Sequence, residues 1–372
     1  MEFVKRHKIA LMVSNLCTLG GTERVTAKLS EELSRDYDCY ILTQWKKGEY
    51  AYPIAGNVKV FNLYDRKRRF RHVAIDAVRR FREYIRREGI EVVIVVGRNN
   101  GLYPLLMKMV TDVKLIFCEH NSLTSHQFYE ESFKAKGYRR LLQYLIKKES
   151  DCIVTLTERT LQHYKNTKVP SCSIYNMVDE NLFDDSAVYD YNSRAIVSVG
   201  RIDYQKGYEY LIDAAKKVFA RHSDWHWDIY GDGEAEYTNQ IQNLISENGL
   251  RNYVFLKGKC DHIYDMYSRY GIYVMTSRYE GLPMVLLEAK VKKLPIVSFD
   301  IHAGPSDIIR DGVDGYLVPP FDTDAMAEKI CYLIEHPEVR KDFSDHAYGN
   351  IDKFRKETIM AKWKDLIEGM VK

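Results

Sequence analysis

Two glutamates with seven residues between them mark the stretch Ser277-Arg278-Tyr279-Glu280-Gly281-Leu282-Pro283-Met284-Val285-Leu286-Leu287-Glu288-Ala289. Glu280 falls in a loop beside Gly281 and Pro283, and Glu288 falls inside an apolar run that reads as a helix. Pro283 suits the first turn of that helix, where its missing N–H would be unpaired in any case. Gly281 lets backbone approach a ligand with no Cβ in the way. The helix N-terminus then offers N–H groups and a positive dipole end to an anion. Glu288, further along the helix, could accept hydrogen bonds from vicinal hydroxyls such as those of a ribose. Such a segment could hold both ends of a nucleotide sugar. A plain loop and helix with two solvated glutamates fits the same letters.

Other polar residues cluster where strands hand over to helices. Val199-Gly200-Arg201 ends one strand, and Lys206-Gly207 follows just before a helix starting near Tyr208. Arg and Lys at that place would clamp a diphosphate, Arg through its planar fork and Lys as a point charge; two surface cations are the alternative. Tyr230-Gly231-Asp232-Gly233 ends the next strand, where turn geometry explains the glycines and ligand contact is the rival reading. Thr18-Leu19-Gly20-Gly21-Thr22-Glu23 joins the first strand to a helix. Its glycine pair leaves N–H groups open to a phosphate or sugar, although it lacks the dinucleotide fingerprint and an unliganded turn would look the same. Cys118-Glu119-His120-Asn121 leaves another strand. His120 could hydrogen-bond a sugar hydroxyl or handle a proton there, or be an ordinary structural histidine. In His302-Ala303-Gly304-Pro305-Ser306-Asp307 the glycine and proline fit a turn, and Asp307 reads as the cap of the next helix.

These loops need a scaffold of strands and helices. Strands are expected at 9–14, 38–43, 58–62, 92–96, 114–119 and 152–155, with helices near 23–35, 72–88, 101–110, 134–149 and 157–166. The pattern restarts with strands at 195–200, 226–230, 254–257, 272–275, 295–298 and 315–317. Strands this apolar, separated by helices, imply α/β domains with parallel sheets covered on both faces. Two doubly wound sheets in series predict an N-terminal domain over 1–180, a C-terminal domain over 181–350, and ligands at the carboxyl ends of the strands, in a cleft between the two. A tail over 351–372, with Trp363, Leu366 and Ile367, is helical.

A length of 372 residues suits two domains, and 45% hydrophobic with 29% charged residues is the balance of a soluble globular chain. The N-terminal apolar run is short and reads as a first strand, not a secretory leader, which predicts a cytoplasmic protein. The seven cysteines have no close-spaced pair and read as small buried hydrophobes, not as a metal or disulfide framework. The net charge of +3 conceals an asymmetry: residues 1–180 hold 31 Lys/Arg against 21 Asp/Glu, and the remainder 24 against 31. Ten of those cations lie in 65–89, among Phe70, Val73, Ile75, Phe81 and Ile85. That segment reads as a basic amphipathic helix, able to lie on an anionic membrane or to cover a sheet with its charges solvated. No recognisable nucleic-acid-binding module accompanies the charge.

Taken together, the motifs resemble glycosyltransferase family 4, whose members have two Rossmann-like domains facing across a cleft (the GT-B architecture). The resemblance covers nearly the whole chain. It is carried by Leu19-Gly20-Gly21-Thr22-Glu23-Arg24-Val25, by residues 118–121, 199–207, 230–234 and 277–289, and by Asp311-Gly312-Val313-Asp314-Gly315-Tyr316-Leu317-Val318. It implies a retaining transfer of a sugar from a nucleoside diphosphate, with UDP as the carrier, needing no metal or other cofactor. Position by position, it implies that Arg201 and Lys206 bind the diphosphate and that Glu288 holds the ribose hydroxyls. Glu280, with the N–H groups of Gly281, Leu282, Pro283 and Met284 as the segment that supplies them (Pro283 itself lacking one), would bind the donor sugar and distal phosphate. Gly20 and Gly21 would let the acceptor domain approach the diphosphate, Gly231 would border the donor, His120 would sit beside the transferred sugar, and 258–263 would meet the base. The tail would cross back to the N-terminal domain. Two departures are small: Met177 follows Asn176 where relatives often carry proline, and Asp307 stands where they often have Glu.

The resulting expectation is a glycosyltransferase at the inner face of the membrane, acting on a glycan or lipid-linked acceptor in cell-surface or capsular polysaccharide synthesis, with segment 65–89 on the anionic membrane surface and no nucleic-acid partner. The rivals are a non-hydrolysing nucleotide-sugar epimerase and a catalytically silent sugar-nucleotide-binding scaffold. A requirement for an acceptor separates the first, and binding without turnover the second.

Overall fold

The computed structural model describes residues 6–68, 70–97, 102–120, 123, 125–129, 132–183, 189–260 and 262–371. The chain divides into two compact units, Met1–Asn176 with Ile359–Lys372, and Met177–Thr358.

The first unit is built on seven parallel strands: β1 (Lys8–Val13), β2 (Asp38–Trp45), β3 (Lys59–Tyr64), β4 (Val92–Val96), β5 (Lys114–Glu119), β6 (Cys152–Thr155) and β7 (Ser171–Ser173). Their order is β3-β2-β1-β4-β5-β6-β7. Every residue of Val92–Val96 is buried, as it must be in a central strand with helices on both faces. The second unit has β8 (Ala195–Val199), β9 (His226–Tyr230), β10 (Val254–Gly258), β11 (Ile272–Met275), β12 (Ile296–Phe299) and β13 (Gly315–Val318), in the order β10-β9-β8-β11-β12-β13. Both are doubly wound Rossmann-like sheets, each with its first strand in the interior, third from one edge. In the second, the order reverses between β8 and β11, which leaves a crevice at their carboxyl ends.

Twelve strands lie where the apolar runs place them. Ser171–Ser173 is the one that sequence reasoning passed over. A single cysteine between two serines is too short an apolar signal to read, and the strand is set by parallel pairing with Ile153, Val154 and Thr155 at the sheet edge. That register also sets Cys118, Val154 and Cys172 in one row across three strands, although the cysteines are far apart in sequence. All seven cysteines are free thiols.

The basic segment forms the helix Phe70–Glu88. Its Ala77, Phe81 and Ile85 are buried, and Tyr84 stacks on Phe61 with ring centroids 4.1 Å apart. The apolar face therefore belongs to the core, where each large side chain contributes about 1.5–3 kcal/mol. Among the described residues, no helix is long and apolar enough to cross a membrane. The last helix, Lys356–Val371, buries Ile359, Met360, Trp363 and Ile367. It is tied to the first unit by Lys364 Nζ to Asp36 Oδ2 at 2.7 Å and by the Tyr37 hydroxyl donating to Glu368 Oε1 at 3.1 Å.

Candidate active site

The crevice of the second unit lies at the loops that follow β8 and β11, and the loop after β9 packs beside the first of these. After β8 come Gly200 and Arg201, and after β9 come Gly231 and Gly233. The two loops are joined by Gly200 N–H to Tyr230 O at 2.9 Å and Ile202 N–H to Asp232 O at 2.7 Å. Gly231 has φ +148°, and a Cβ there would lie 1.9 Å from Gly200 O. Close approach of the neighbouring backbone thus explains this glycine with no ligand required. Arg201 has a side chain 63% exposed, with Nη2 3.0 Å from Asp203 Oδ2. Its guanidinium is accessible and lightly held.

Asp203 also caps the short turn Tyr204–Lys206, accepting the Lys206 N–H at 3.2 Å. Gly207 then takes a left-handed conformation, φ +64°, to start the helix Tyr208–Phe219. A side chain at Gly207 would meet Thr276 O at 2.5 Å, so the β8 and β11 loops can close together only over a glycine.

That closure brings Lys206 to Glu280. Nζ lies 2.7 Å from Oε1. The Ser277 hydroxyl donates to the same oxygen at 2.8 Å, and Gln205 Nε2 donates to Oε2 at 3.2 Å and to Tyr279 O at 3.0 Å. Glu280 is buried, yet both its oxygens have donors, as a buried carboxylate requires. Arg278, also buried, lies over the Tyr204 ring at 3.9 Å and bonds Tyr204 O and Glu209 Oε2. Sequence reasoning missed Gln205, Ser277, Arg278 and Tyr264. The first three adjoin residues it singled out, but nothing in their spacing shows that the loops fold back on each other.

Glu288 is buried on the helix Met284–Val291. The Tyr264 hydroxyl donates to its Oε1 at 3.2 Å. Pro283 stands one position earlier than expected: it is the residue before the helix, not part of the first turn. Leu282 and Pro283 are buried, and Gly281 and Met284 are half-buried. A Cβ on Gly304, which has φ +102°, would lie 2.2 Å from Pro283 Cδ, so the 302–304 loop packs directly on that proline. Asp307 does not cap: Gly304 holds the cap position of Pro305–Ile308, and Asp307 lies inside that short helix. The other end of Met284–Val291 is anchored by Lys290, whose Nζ is 2.8 Å from Asp314 Oδ2; Arg310 Nε approaches the same oxygen at 2.7 Å. Burial pushes the Lys290 amine down to about 8, against the pull of Asp314.

Segment 258–263 begins with Gly258, whose carbonyl accepts the Gly231 N–H at 2.9 Å; Asp261 lies outside the described residues. The remaining candidates belong to the first unit. Gly20 precedes the helix Gly21–Leu33 in extended conformation, and a Cβ on Gly21 would touch nothing within 4 Å. Glu23 reaches across this turn and accepts the Thr18 hydroxyl at 2.7 Å. His120 follows β5, and burial pushes its imidazole down to about 4, so it is neutral near pH 7. Asn121 lies outside the described residues.

The sequence carries the same division. Residues 19–182 match the family model described as Glycosyltransferase Family 4, and residues 181–350 match Glycosyl transferases group 1. The amylovoran biosynthesis glycosyltransferase AmsD of Erwinia amylovora is 30% identical over 374 residues, spanning 97% of this chain and 99% of that protein. Among solved structures, sucrose-phosphate synthase from Thermosynechococcus elongatus superposes with a TM-score of 0.83 at 19% identity, covering 98% of this chain and 99% of that one. A Staphylococcus aureus TarM variant, solved with fondaparinux, alpha-GlcNAc-glycerol and UDP, gives 0.76 at 17% identity over 97% of this chain and 99% of that one.

Proposed function

Because this chain belongs to glycosyltransferase family 4, we propose that it moves a sugar from a UDP-sugar, with retention of configuration, to a glycan or lipid-linked acceptor in the synthesis of a cell-surface or capsular polysaccharide. The observation that carries this reading is the convergence of Arg201, Lys206, Glu280 and the helix bearing Glu288 at the switch point of one sheet. The amylovoran role in the name of AmsD supports the polysaccharide assignment, and the UDP held by TarM supports that carrier.

In this reading Arg201 and Lys206 take the diphosphate, and Glu288 takes the ribose hydroxyls. The leaving diphosphate gains negative charge as the anomeric bond breaks. Lys206, held in place by Glu280, the accessible Arg201 and the N-terminus of Met284–Val291 stabilise that charge, and they do so in place of a metal. Glu280 is a poor covalent nucleophile, because Lys206 and Ser277 hold one oxygen and Gln205 the other. The transfer therefore runs on one face of the sugar. The C1–O bond to phosphate breaks, the acceptor oxygen bonds C1, and the acceptor proton passes to the departing phosphate oxygen. Neutral His120 can donate to, or accept from, a hydroxyl of the sugar.

Thermal stabilisation by UDP, GDP and ADP and their sugar conjugates tests the donor. At a hundred times its dissociation constant, the right nucleotide adds about 2.7 kcal/mol. UDP alone should give the shift, and Arg201→Ala and Glu288→Ala should abolish it. A shift from GDP or ADP alone would sink the UDP assignment. A sugar trapped covalently on Glu280 would sink the one-face mechanism.

A further inference from the structure

The first unit carries two strongly basic helices, and they differ in what they do with their apolar residues. Phe70–Glu88 buries Ala77, Phe81 and Ile85 against the sheet, and of its described large apolar side chains only Ile75 is strongly exposed. Part of its charge is neutralised locally, with Arg79 3.3 Å from Asp76 and Arg87 3.0 Å from Glu88.

Phe133–Glu149 is arranged differently. It begins at Ser132, whose hydroxyl accepts the Ala135 N–H, and it buries only Leu142 and Ile146. Phe133 is 92% exposed, Leu141 50% and Tyr144 61%. At about 100° per residue, positions 133, 141 and 144 fall within one quarter of the helix circumference, turned away from the buried pair. Exposed Lys136, Arg140 and Lys147 border this stripe on one side, Lys134 borders it on the other, and Lys148 lies within it at its C-terminal end. Glu149 is the helix's one acidic residue. An exposed phenylalanine, leucine and tyrosine on one face is not the ordinary scatter of single apolar residues.

We propose that this face of Phe133–Glu149 docks the protein on an anionic phospholipid bilayer, with Phe133, Leu141 and Tyr144 entering the headgroup boundary and the flanking cations meeting lipid phosphates. Aromatic and apolar side chains flanked by Lys and Arg are the composition that lies in a membrane interface. Charge selects this occupant over a second copy of the chain, since two such helices face to face would set five exposed cations against five. The whole stretch 1–180 reinforces the attraction, with 31 Lys/Arg against 21 Asp/Glu. The proposal draws its purpose from the reading of a lipid-linked acceptor, and it moves the apolar contact from the 65–89 segment to this helix.

The test is co-sedimentation of the full chain with vesicles of phosphatidylglycerol and phosphatidylcholine, and with phosphatidylcholine alone. The variants are Phe133→Ser, the triple Phe133→Ser/Leu141→Ser/Tyr144→Ser, and Arg79→Glu/Arg80→Glu. Wild type should bind the anionic vesicles and keep measurable binding at about 0.5 M salt, where charges are screened beyond a few Å. The triple variant should lose about tenfold or more in affinity and all of the salt-resistant part. Phe133→Ser, at a side chain too exposed to affect folding, should lose an intermediate share. Arg79→Glu/Arg80→Glu should weaken binding at low salt only. Wild-type failure to bind, or a triple variant that binds like wild type, overturns the proposal. So does a wild-type dimer that the triple variant dissolves without vesicles. UDP stabilisation, measured on the same samples, separates the two ideas. Its absence beside intact vesicle binding sinks the donor reading alone, and its presence without vesicle binding sinks the docking face alone.

Discussion

Lys206 and Glu280 form an ion pair of 2.7 Å across two loops that leave adjacent strands, and 73 residues separate them in the chain. Each partner orients the other, so neither acts alone. We expect Lys206→Met and Glu280→Gln each to lower kcat by about 10²–10³-fold. The double variant should be little worse than the poorer single, because residues working as a unit are not additive. Strict multiplication of the two losses would show that they act independently.

Two glycines of the candidate site should respond in opposite ways. Gly231→Ala places a Cβ 1.9 Å from Gly200 O and should cost about 2–3 kcal/mol of stability, measured by urea unfolding. Gly21→Ala meets open space and should leave stability unchanged or slightly raised. If Gly21 serves ligand approach, that same variant should show reduced transfer in a fully folded protein. Full activity in Gly21→Ala would remove Gly21 from the site.

The Lys290–Asp314–Arg310 cluster fixes the far end of the helix that carries Glu288. Asp314→Ala strands two cations, one of them fully buried, and should cost about 3–5 kcal/mol. Lys290→Met leaves Asp314 with Arg310 and should cost under about 1 kcal/mol. The wild type has a further signature. With its folded-state value at about 8 and its ordinary value at 10.5, Lys290 is charged in both states at neutral pH, and only between those two values is it neutral when folded and protonated when unfolded. Its contribution to stability therefore rises between those pH values. Unfolding curves for Lys290→Met should lack that rise.

His120 gives the acid-side counterpart. Its folded value of about 4 lies below the ordinary 6.5, so the unfolded chain takes up a proton that the folded one refuses. Its contribution is complete above pH 6.5, falls as pH drops towards 4, and changes no further below that. His120→Asn should flatten this part of the pH–stability curve. An identical curve for the variant would show that the surroundings of this imidazole do not hold its proton affinity down.

Most of the scaffold was legible because buried parallel strands are written as runs such as Val92–Val96, which only a sheet covered on both faces can accommodate. Glu280, Glu288, Arg201 and Lys206 were legible because their residue types and order are unusual in combination. The partners that hold them were not. Gln205 and Ser277 meet on Glu280 only after two loops close over Gly207, and Tyr264 reaches Glu288 from the short helix Ile263–Met266. Such contacts are set by tertiary closure, which leaves no period in the sequence. The basic helix Phe70–Glu88 and the aromatic helix Phe133–Glu149 illustrate the same limit. Amphipathic spacing says that a face is apolar, but not whether the sheet has already covered it.

The helix Lys356–Val371 has a consequence for biogenesis. It packs with the first unit, but translation delivers it only after the entire second unit has emerged. Until then Tyr37 and Asp36 lack Glu368 and Lys364, and the surface that will receive Trp363 stands open. The N-terminal sheet must therefore wait, nearly complete, while about half of the protein is still being synthesised, at the 5–20 residues per second typical of translation. Nascent chains arrested before the last helix should be bound by chaperones in a way that released chains are not.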